Sequence, residues 1–252
     1  MKVPKISIIT VCYNSEDTIE ESLISVANQT HENCEHIVID GASTDDTMKI
    51  VNYHQERLVK IVSEPDGGIY DAMNKGIKLA TGDIIGILNS DDNYYDNTIL
   101  EAVANKMQNN RLDAVYGDVQ FFKHSKDWKN IRRYSSAYFK PERLSWGWMP
   151  AHPTLFLKRK IYEQYGLFKT DYKIASDFEF IARIFGKNSI RYEYLPEVLV
   201  RMRLGGISTG GIKNTLLLNR EVLKACSENG ISTNLLKIYS KYPRKVLEYL
   251  RS

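Results

Sequence analysis

The chain has 252 residues, 43% of them hydrophobic and 26% charged, with a formal net charge of +3. That length suits one α/β domain, or a domain with an appendage, and allows a substantial core. The small net charge argues against a nucleic-acid binder, and the scattered Cys12, Cys34 and Cys226 argue against a disulfide framework or a CxxC zinc site.

Met1-Lys2-Val3-Pro4-Lys5 runs straight into a strand-like segment, so no signal peptide is expected. No apolar run approaches the length of a bilayer span, and a reducing cytoplasm is the expected setting. Residues 6–11 read as the first strand, with Cys12-Tyr13-Asn14 as its C-terminal loop. Ser15 reads as the N-cap of a helix, with Glu16 and Asp17 in its first turn and Ile19, Leu23 and Val26 at helical spacing. Residues 36–40 form the second strand. It ends in Asp40-Gly41-Ala42-Ser43-Thr44-Asp45-Asp46-Thr47, a turn that opens a helix through Met48, Ile50 and Val51. A third strand over 58–63 is followed by Glu64-Pro65-Asp66-Gly67-Gly68. A helix over about 70–80 then stops at Thr81-Gly82.

Residues 84–88 are apolar without alternation, as in a strand buried on both faces. They end in Asn89-Ser90-Asp91-Asp92. Alternating strands and helices imply a parallel sheet with right-handed crossovers. Three strand ends then carry carboxylates, Asp40, Asp66 and the Asp91–Asp92 pair, and these should converge on one crevice. Adjacent carboxylates repel unless a cation or donors compensate, and a hard divalent cation beside a phosphate meets that need. Asn-Ser-Asp-Asp is also ordinary turn chemistry, so both readings stand here.

The second half is less regular. It reads as a helix over 98–108, a strand over 113–121, and a long functional loop or short hairpin over 123–148. A strand over 154–157 follows, then a helix from 175 to 185 stopped by Gly186, and a strand over 192–201. A glycine-rich stretch, 204–211, precedes helices over 212–227 and 234–250. The last helix carries Lys237, Lys241, Arg244, Lys245 and Arg251 against Glu248, with an apolar face from Leu235, Leu236, Ile238, Tyr242, Val246, Leu247 and Leu250. It suits a membrane surface, a dimer interface or simple packing on the core. There is no G-x-x-x-x-G-K-[ST], and no G-x-G-x-x-G follows the first strand, so neither a P-loop enzyme nor a dinucleotide dehydrogenase is favoured.

Six pieces, taken in order, carry a family pattern. They are Ser7-Ile8-Ile9-Thr10-Val11-Cys12-Tyr13-Asn14; Asp40-Gly41-Ala42-Ser43-Thr44-Asp45; Glu64-Pro65-Asp66-Gly67-Gly68-Ile69-Tyr70-Asp71-Ala72-Met73-Asn74-Lys75-Gly76; Ala80-Thr81-Gly82-Asp83; Leu88-Asn89-Ser90-Asp91-Asp92; and Ala175-Ser176-Asp177-Phe178-Glu179. Over residues 5 to 210 the chain resembles the inverting nucleotide-sugar glycosyltransferases of family two, of the type that builds bacterial O-antigen, capsule and other surface polysaccharides. The resemblance implies a GT-A fold: a Rossmann-like α/β domain with a mostly parallel central sheet flanked by helices. The catalytic domain would span 1–211, with a nucleotide-binding half at 1–95 and an acceptor-binding half at 96–211. Residues 212–252 would form a helical extension.

The resemblance also implies roles. Thr10, Cys12, Tyr13 and Asn14 wrap the base and ribose, Asp40 bonds the uracil ring, and Asp66, Asn74 and Lys75 line the nucleotide site. Asn89-Ser90-Asp91 stands for the D-x-D motif, with Asn replacing its first Asp. Asp91 or Asp92 would hold manganese or magnesium against the diphosphate of a UDP-sugar. Asp177 matches the catalytic base, although a carboxylate after Ser176 at a helix start also suits the helix dipole. Trp146 and Trp148 suit stacking on an acceptor sugar or anchoring of the loop. His152 suits diphosphate, acceptor or a structural turn. Arg201 and Arg203 suit the diphosphate or a solvated strand end. The expected partners are a nucleotide-sugar donor and a saccharide acceptor, carried on a polyprenyl-diphosphate lipid at the inner face of the cytoplasmic membrane. The rival readings are a nucleotidylyltransferase, which lacks here its glycine-rich Arg/Lys loop after the first strand, and a non-catalytic sugar-binding module.

Overall fold

Ile6, Ile8, Ile9 and Val11 set the centre of the molecule. They lie on β1 (Ile6–Cys12), where every residue is buried. The computed structural model describes residues 3–109, 111–122, 130–186, 190–205 and 211–240. In it β1 lies between two parallel neighbours, β2 (Cys34–Asp40) and β4 (Ile84–Ile87), and β3 (Lys60–Ser63) flanks β2. Ile6 and Ile8 point into one core, and Ile9 and Val11 into the core on the opposite face. Burial on both faces explains why the strand reads as a continuous apolar run. Each such isoleucine contributes about 2 kcal/mol by leaving water.

The remaining strands make the sheet mixed. They are β5 (Asn93–Tyr94), β6 (Ala114–Phe122), β7 (Asn130–Tyr134), β8 (Phe156–Lys158) and β9 (Tyr192–Arg203). The order is β3-β2-β1-β4-β8-β6-β9-β5, with β7 added to β6. β8 is antiparallel to both β4 and β6, whereas β6 and β9 are parallel. The hairpin reading of 123–148 holds at β6–β7, after which a 3-10 turn, Pro141–Trp146, leads to a second one, His152–Thr154.

Helices α1 (Ile19–Ala27), α2 (Thr47–Tyr53), α3 (Ile69–Leu79) and α4 (Ile99–Asn109) belong to the first half. Those of the second half are α5 (Arg159–Tyr165), α6 (Ser176–Phe185), α7 (Ile212–Glu228) and α8 (Leu235–Tyr239). Gly76 brings α3 so close to the sheet that a Cβ there would lie 2.3 Å from Ile9 Cγ2. Two details differ from expectation. Ser15 does not cap α1: its carbonyl closes a turn onto the Thr18 and Ile19 amides, and Thr18 takes the N-cap position. β5 and α5 carry no periodicity long enough to announce them; a two-residue strand exists only because β9 offers its edge. The expected helix over 234–250 is described through Tyr239, and Lys241, Arg244, Lys245, Glu248 and Arg251 lie outside the described residues.

The sheet end away from the carboxylate-bearing loops is fixed by Glu35. Its buried carboxylate accepts from Ser7 Oγ at 2.5 Å, Thr81 N at 2.6 Å and Lys5 Nζ at 2.6 Å. Burial works against its charge, but these donors hold its carboxyl down at about 2. α7 is not a loose appendage. Val222, Ala225 and Cys226 are buried in the same core as Ile9 and Phe180.

Candidate active site

The carboxyl ends of β1, β2, β3 and β4 bring four loops together. Asn14 (φ 47°) and Ala42 (φ 61°) both adopt left-handed backbone, which folds the first two loops onto each other. Asn14 Oδ1 accepts from Thr44 N at 2.9 Å, and Asn14 N donates to Ser43 Oγ at 2.8 Å. Ser15 ties the first loop to the fourth, its Oγ lying 2.9 Å from Ser90 Oγ. Asp66 closes the other side. A Cβ on Gly41 would meet Asp66 Oδ2 at 2.7 Å and the Tyr13 ring at 3.4 Å, so glycine lets these walls approach. These contacts bring Tyr13, Asn14, Ser15, Asp66 and Ser90 together at the carboxyl ends of the strands.

Some site candidates face inward. Thr10 Oγ1 is 2.9 Å from His36 Nε2 inside the sheet. The carboxylate of Asp40 is fully buried, held by Ser43 N at 3.0 Å, Ser63 Oγ at 2.7 Å, Ser43 Oγ and Cys12 Sγ. A base ring reaching Asp40 has to replace one of these donors. Burial and the neighbouring Asp40 charge push the Cys12 thiol far up, so Cys12 is a packing group, not a nucleophile. Asn74 grips the Phe168 backbone with both amide atoms, at 2.8 Å and 2.9 Å. Lys75 reaches Glu64 at 2.8 Å and the Pro65 carbonyl at 3.0 Å, which braces the loop bearing Asp66.

Asp91 and Asp92 stand where β4 passes into β5. Burial pushes the Asp91 carboxyl up from its ordinary range. Burial and then the Asp91 charge push Asp92 up well above it. Asp92 Oδ1 accepts from Arg203 N at 3.3 Å, and Oδ2 from Asn89 Nδ2 at 3.4 Å. Among the described residues, Asn89 Oδ1 and Arg203 Nε are buried without partners. Asp91, Asp92 and the Asn89 amide oxygen are oxygen donors of the type a small hard cation takes, but no group of three or more His, Cys, Asp or Glu that could hold a metal ion is found among the described residues. Arg203 Nη2 reaches Glu21 at 3.3 Å, and the Arg201 guanidinium lies 4.4 Å over the Tyr95 ring.

The end of β9 divides this cluster from a cavity of about 230 Å³. Arg203 turns its amide to Asp92, whereas Met202 lines the cavity beside Trp148, His152 and Asp177. Burial pushes the Asp177 carboxyl up; the nearby His152, the Phe178 amide at 2.8 Å and the Tyr70 hydroxyl at 3.3 Å pull it partly back. Burial likewise holds the His152 imidazole below its ordinary range, with the Asp177 charge pulling the other way. Trp148 stacks on Tyr134 with centroids 6.2 Å apart. Trp146 does not line this cavity: it lies 44% exposed on the surface with Lys237 Nζ 5.6 Å above its ring.

A carboxylate pair at a strand end and a partly buried carboxylate in a cavity across one strand suit group transfer from a phosphate-bearing donor. The family model of glycosyl transferase family 2 matches residues 7–174. The chain belongs to this family. A "PGL/p-HBAD biosynthesis glycosyltransferase" of Mycobacterium bovis is 31% identical over 229 residues, which cover 89% of this chain and 84% of the relative. Among solved structures, S. aureus TarS 1-349 in complex with UDP-GlcNAc superposes with a TM-score of 0.69 at 19% identity, over 88% of this chain and 66% of that one. The chain spans 39% of the longer S. aureus TarS structure. The mannosyltransferase PcManGT from Pyrobaculum calidifontis, in complex with GDP-Man and Mn2+, gives 0.59 at 21% identity, over 98% and 81%. These likenesses establish the GT-A type of fold. No helix among the described residues is long and apolar enough to cross a membrane.

Two residues of this family 2 glycosyltransferase, one beside Asp177 and one bound to the backbone leading into its helix, were not singled out from sequence. Tyr70 opens α3 directly after Gly67-Gly68, and its hydroxyl donates to the Ile174 carbonyl at 2.6 Å as well as facing Asp177. Glu221, on α7, accepts the amides of Lys173, Ile174 and Ala175 at 2.8, 2.9 and 2.9 Å. Those N–H groups lead into the start of α6, so Glu221 caps from a distance the helix that carries Asp177. The sequence placed Glu221 only within the expected helix over 212–227. We expect Glu221→Ala to lower kcat about tenfold through a displaced base while UDP affinity changes less than twofold. Glu221→Gln, which still accepts with one oxygen, should recover part of the rate. Steady-state kinetics beside UDP titration checks this; a parallel loss of both would mean general unfolding instead.

Proposed function

We propose that the chain transfers one sugar from a UDP-sugar to an acceptor hydroxyl in a single displacement that inverts the anomeric carbon. The observation that carries this is the disposition of Asp177: one partly buried carboxylate at a cavity, across the end of β9 from the Asn89–Asp92 cluster. One base is enough for inversion, since no covalent sugar–enzyme intermediate has to form. The UDP-GlcNAc bound by one structural neighbour, and the glycosyltransferase names of the relatives, support the donor class.

In this reading Tyr13, Asn14 and Asp66 border the nucleoside, with Asp40 shaping the loop beneath it through Ser43 and Ser63. Asp91, backed by Asp92 and Asn89, would hold a divalent cation, and that cation would stabilise the charge that develops on the departing diphosphate. Arg203 adds positive charge from the end of β9. Asp177 accepts the proton of the acceptor hydroxyl as that oxygen bonds to the anomeric carbon and the bond to diphosphate breaks. His152, beside Asp177 in the cavity lining, orients the acceptor hydroxyl.

Calorimetric titration with UDP, GDP, CDP and dTDP, each with manganese and with chelator, tests the donor side. The expected result is UDP binding at least tenfold tighter with manganese and no comparable binding of the others. A folded protein that binds none of the four overturns the reading.

A further inference from the structure

Two consecutive residues of β6, Gly117 and Asp118, hold the two ends of the turn that carries His152. Among the described residues, Gly117 has no strand partner: β8 pairs with β6 no further than Val115–Phe156, and the register on β9 shifts between Tyr116 and Asp118. One side chain meets the Gly117 amide and carbonyl instead. The Thr154 hydroxyl, fully buried, accepts from Gly117 N at 3.3 Å and lies 3.0 Å from Gly117 O and 2.8 Å from Ala151 O. It therefore ties the end of the turn both to its start and to the sheet. Asp118 holds the start. Its fully buried carboxylate accepts from Ser136 N at 2.7 Å, Arg133 Nε at 2.8 Å and the Tyr194 hydroxyl at 3.0 Å. Ser136, fixed in this way, offers its Oγ to the Ala151 amide at 3.3 Å.

A single 3-10 turn has little rigidity of its own. The backbone bonds inside this one are Thr154 N to Ala151 O at 2.9 Å and Leu155 N to His152 O at 3.0 Å. Neither fixes the turn against α6, which carries Asp177. His152 nevertheless lines the cavity with Asp177, its ring edge-on to Phe168 with centroids 5.6 Å apart. We infer that Thr154 and Asp118 are positioning residues of the transfer reaction: through Gly117 and Ser136 they set where the His152 ring stands relative to Asp177. Displacing an orienting group by about 1 Å can lower a rate about 100-fold, so bonds remote from the reacting atoms act on it strongly. The inference rests on the proposed role of His152 in orienting the acceptor hydroxyl.

Position 117 offers no handle, because a Cβ there would lie 2.5 Å from Leu199 Cγ, so the test is made at Thr154 and Ser136. Thr154→Val keeps the shape and deletes the hydroxyl; Thr154→Ser keeps the hydroxyl. The full chain, labelled with 13C in its histidine rings, is read by NMR without substrate. His152 is assigned by its loss in His152→Ala, and its signal carries the ring current of Phe168. Thr154→Val should move the His152 signal toward that of free histidine, Thr154→Ser should restore it, and the His36 signal, inside the sheet, should stay in place. Ser136→Ala deletes only the bond to the Ala151 amide and should move the His152 signal in the same direction by less. An unmoved signal in Thr154→Val, or an equal displacement in Thr154→Ser, overturns the inference for Thr154. An unmoved signal in Ser136→Ala removes Asp118 from the role. If His36 moves in Thr154→Val, the fold has loosened as a whole and Ser136→Ala decides.

Turnover then reads the consequence, as UDP release from UDP-GlcNAc with manganese and with water in place of the acceptor. Thr154→Val should lower kcat about tenfold with KM for UDP-GlcNAc within about twofold, and should add nothing in the His152→Ala background. Losses that multiply in the double variant would mean that Thr154 acts independently of His152, which overturns the inference. Full turnover in His152→Ala alone would count against the role of His152 and not against the bonds that hold it, since the ring signal is read without substrate.

Discussion

Asp177→Asn lowers kcat by about 10³-fold and leaves UDP affinity unchanged; this is the expected result of removing the general base alone. Asn keeps the shape of the side chain and can still accept from the Phe178 amide and the Tyr70 hydroxyl. It cannot take a proton from the acceptor. The variant is expected to fold at least as well as the parent. Burial raises the Asp177 carboxyl, so the folded chain binds that proton more tightly than the unfolded chain does. Above the unfolded value the ionised group therefore costs stability, and a neutral amide removes that cost; as pH falls below it the advantage of Asn disappears. Thermal melts at pH 7 and pH 4 check this sign. The same raised value sets the activity profile. The base works ionised, so kcat/KM of the parent should fall with decreasing pH through a value above the ordinary carboxylate range. A variant that keeps the parent's rate, or an acid limb at the usual aspartate value, would remove Asp177 from the role.

Much of this was legible in the chain itself, for a physical reason. β1, β2 and β4 are buried on both faces, so their apolar runs had to be nearly uninterrupted, and loops rich in Asp, Asn, Ser and Gly had to follow them. That pattern carried the convergence of the strand-end loops and the acidic cluster at Asp91 and Asp92. Where a side chain points within a loop was not legible. Asp40 and Asp66 look alike as strand-end carboxylates, yet Asp40 is sealed by Ser43 and Ser63 and Asp66 faces Gly41 where the loops meet. Asn74 lies on the helix that follows the Asp66 loop, but helical rotation turns it toward Phe168. Trp146 and Trp148 are two residues apart, and the 3-10 turn ending at Trp146 sends one to the surface and the other to the cavity wall. Glu221 illustrates the largest gap, since its partners lie 46 to 48 positions earlier and no local signal connects them.

Asp91→Asn and Asp92→Asn should separate the two adjacent carboxylates. Asp92 is 1% exposed and already accepts from the Arg203 amide and the Asn89 side chain. Asp91 is less buried than Asp92, and the proposed function places the diphosphate and its cation on its side. Asp91→Asn is therefore expected to erase the tightening of UDP by manganese, so that titrations with metal and with chelator coincide, and to lower kcat about 10²-fold. Asp92→Asn should retain a manganese effect reduced only severalfold, because an amide oxygen still accepts from Arg203. Neither should melt earlier than the parent at pH 7. Each replaces a carboxylate whose charge burial disfavours, Asp92 also relieving repulsion from Asp91. The reverse ranking, with Asp92→Asn abolishing the manganese effect and Asp91→Asn retaining it, would move the cation to Asp92. It would also require the Arg203 amide to release that carboxylate when the donor binds. A manganese effect untouched in both variants would leave Arg203 as the charge that meets the diphosphate, and the transfer would then proceed without a cation at this cluster.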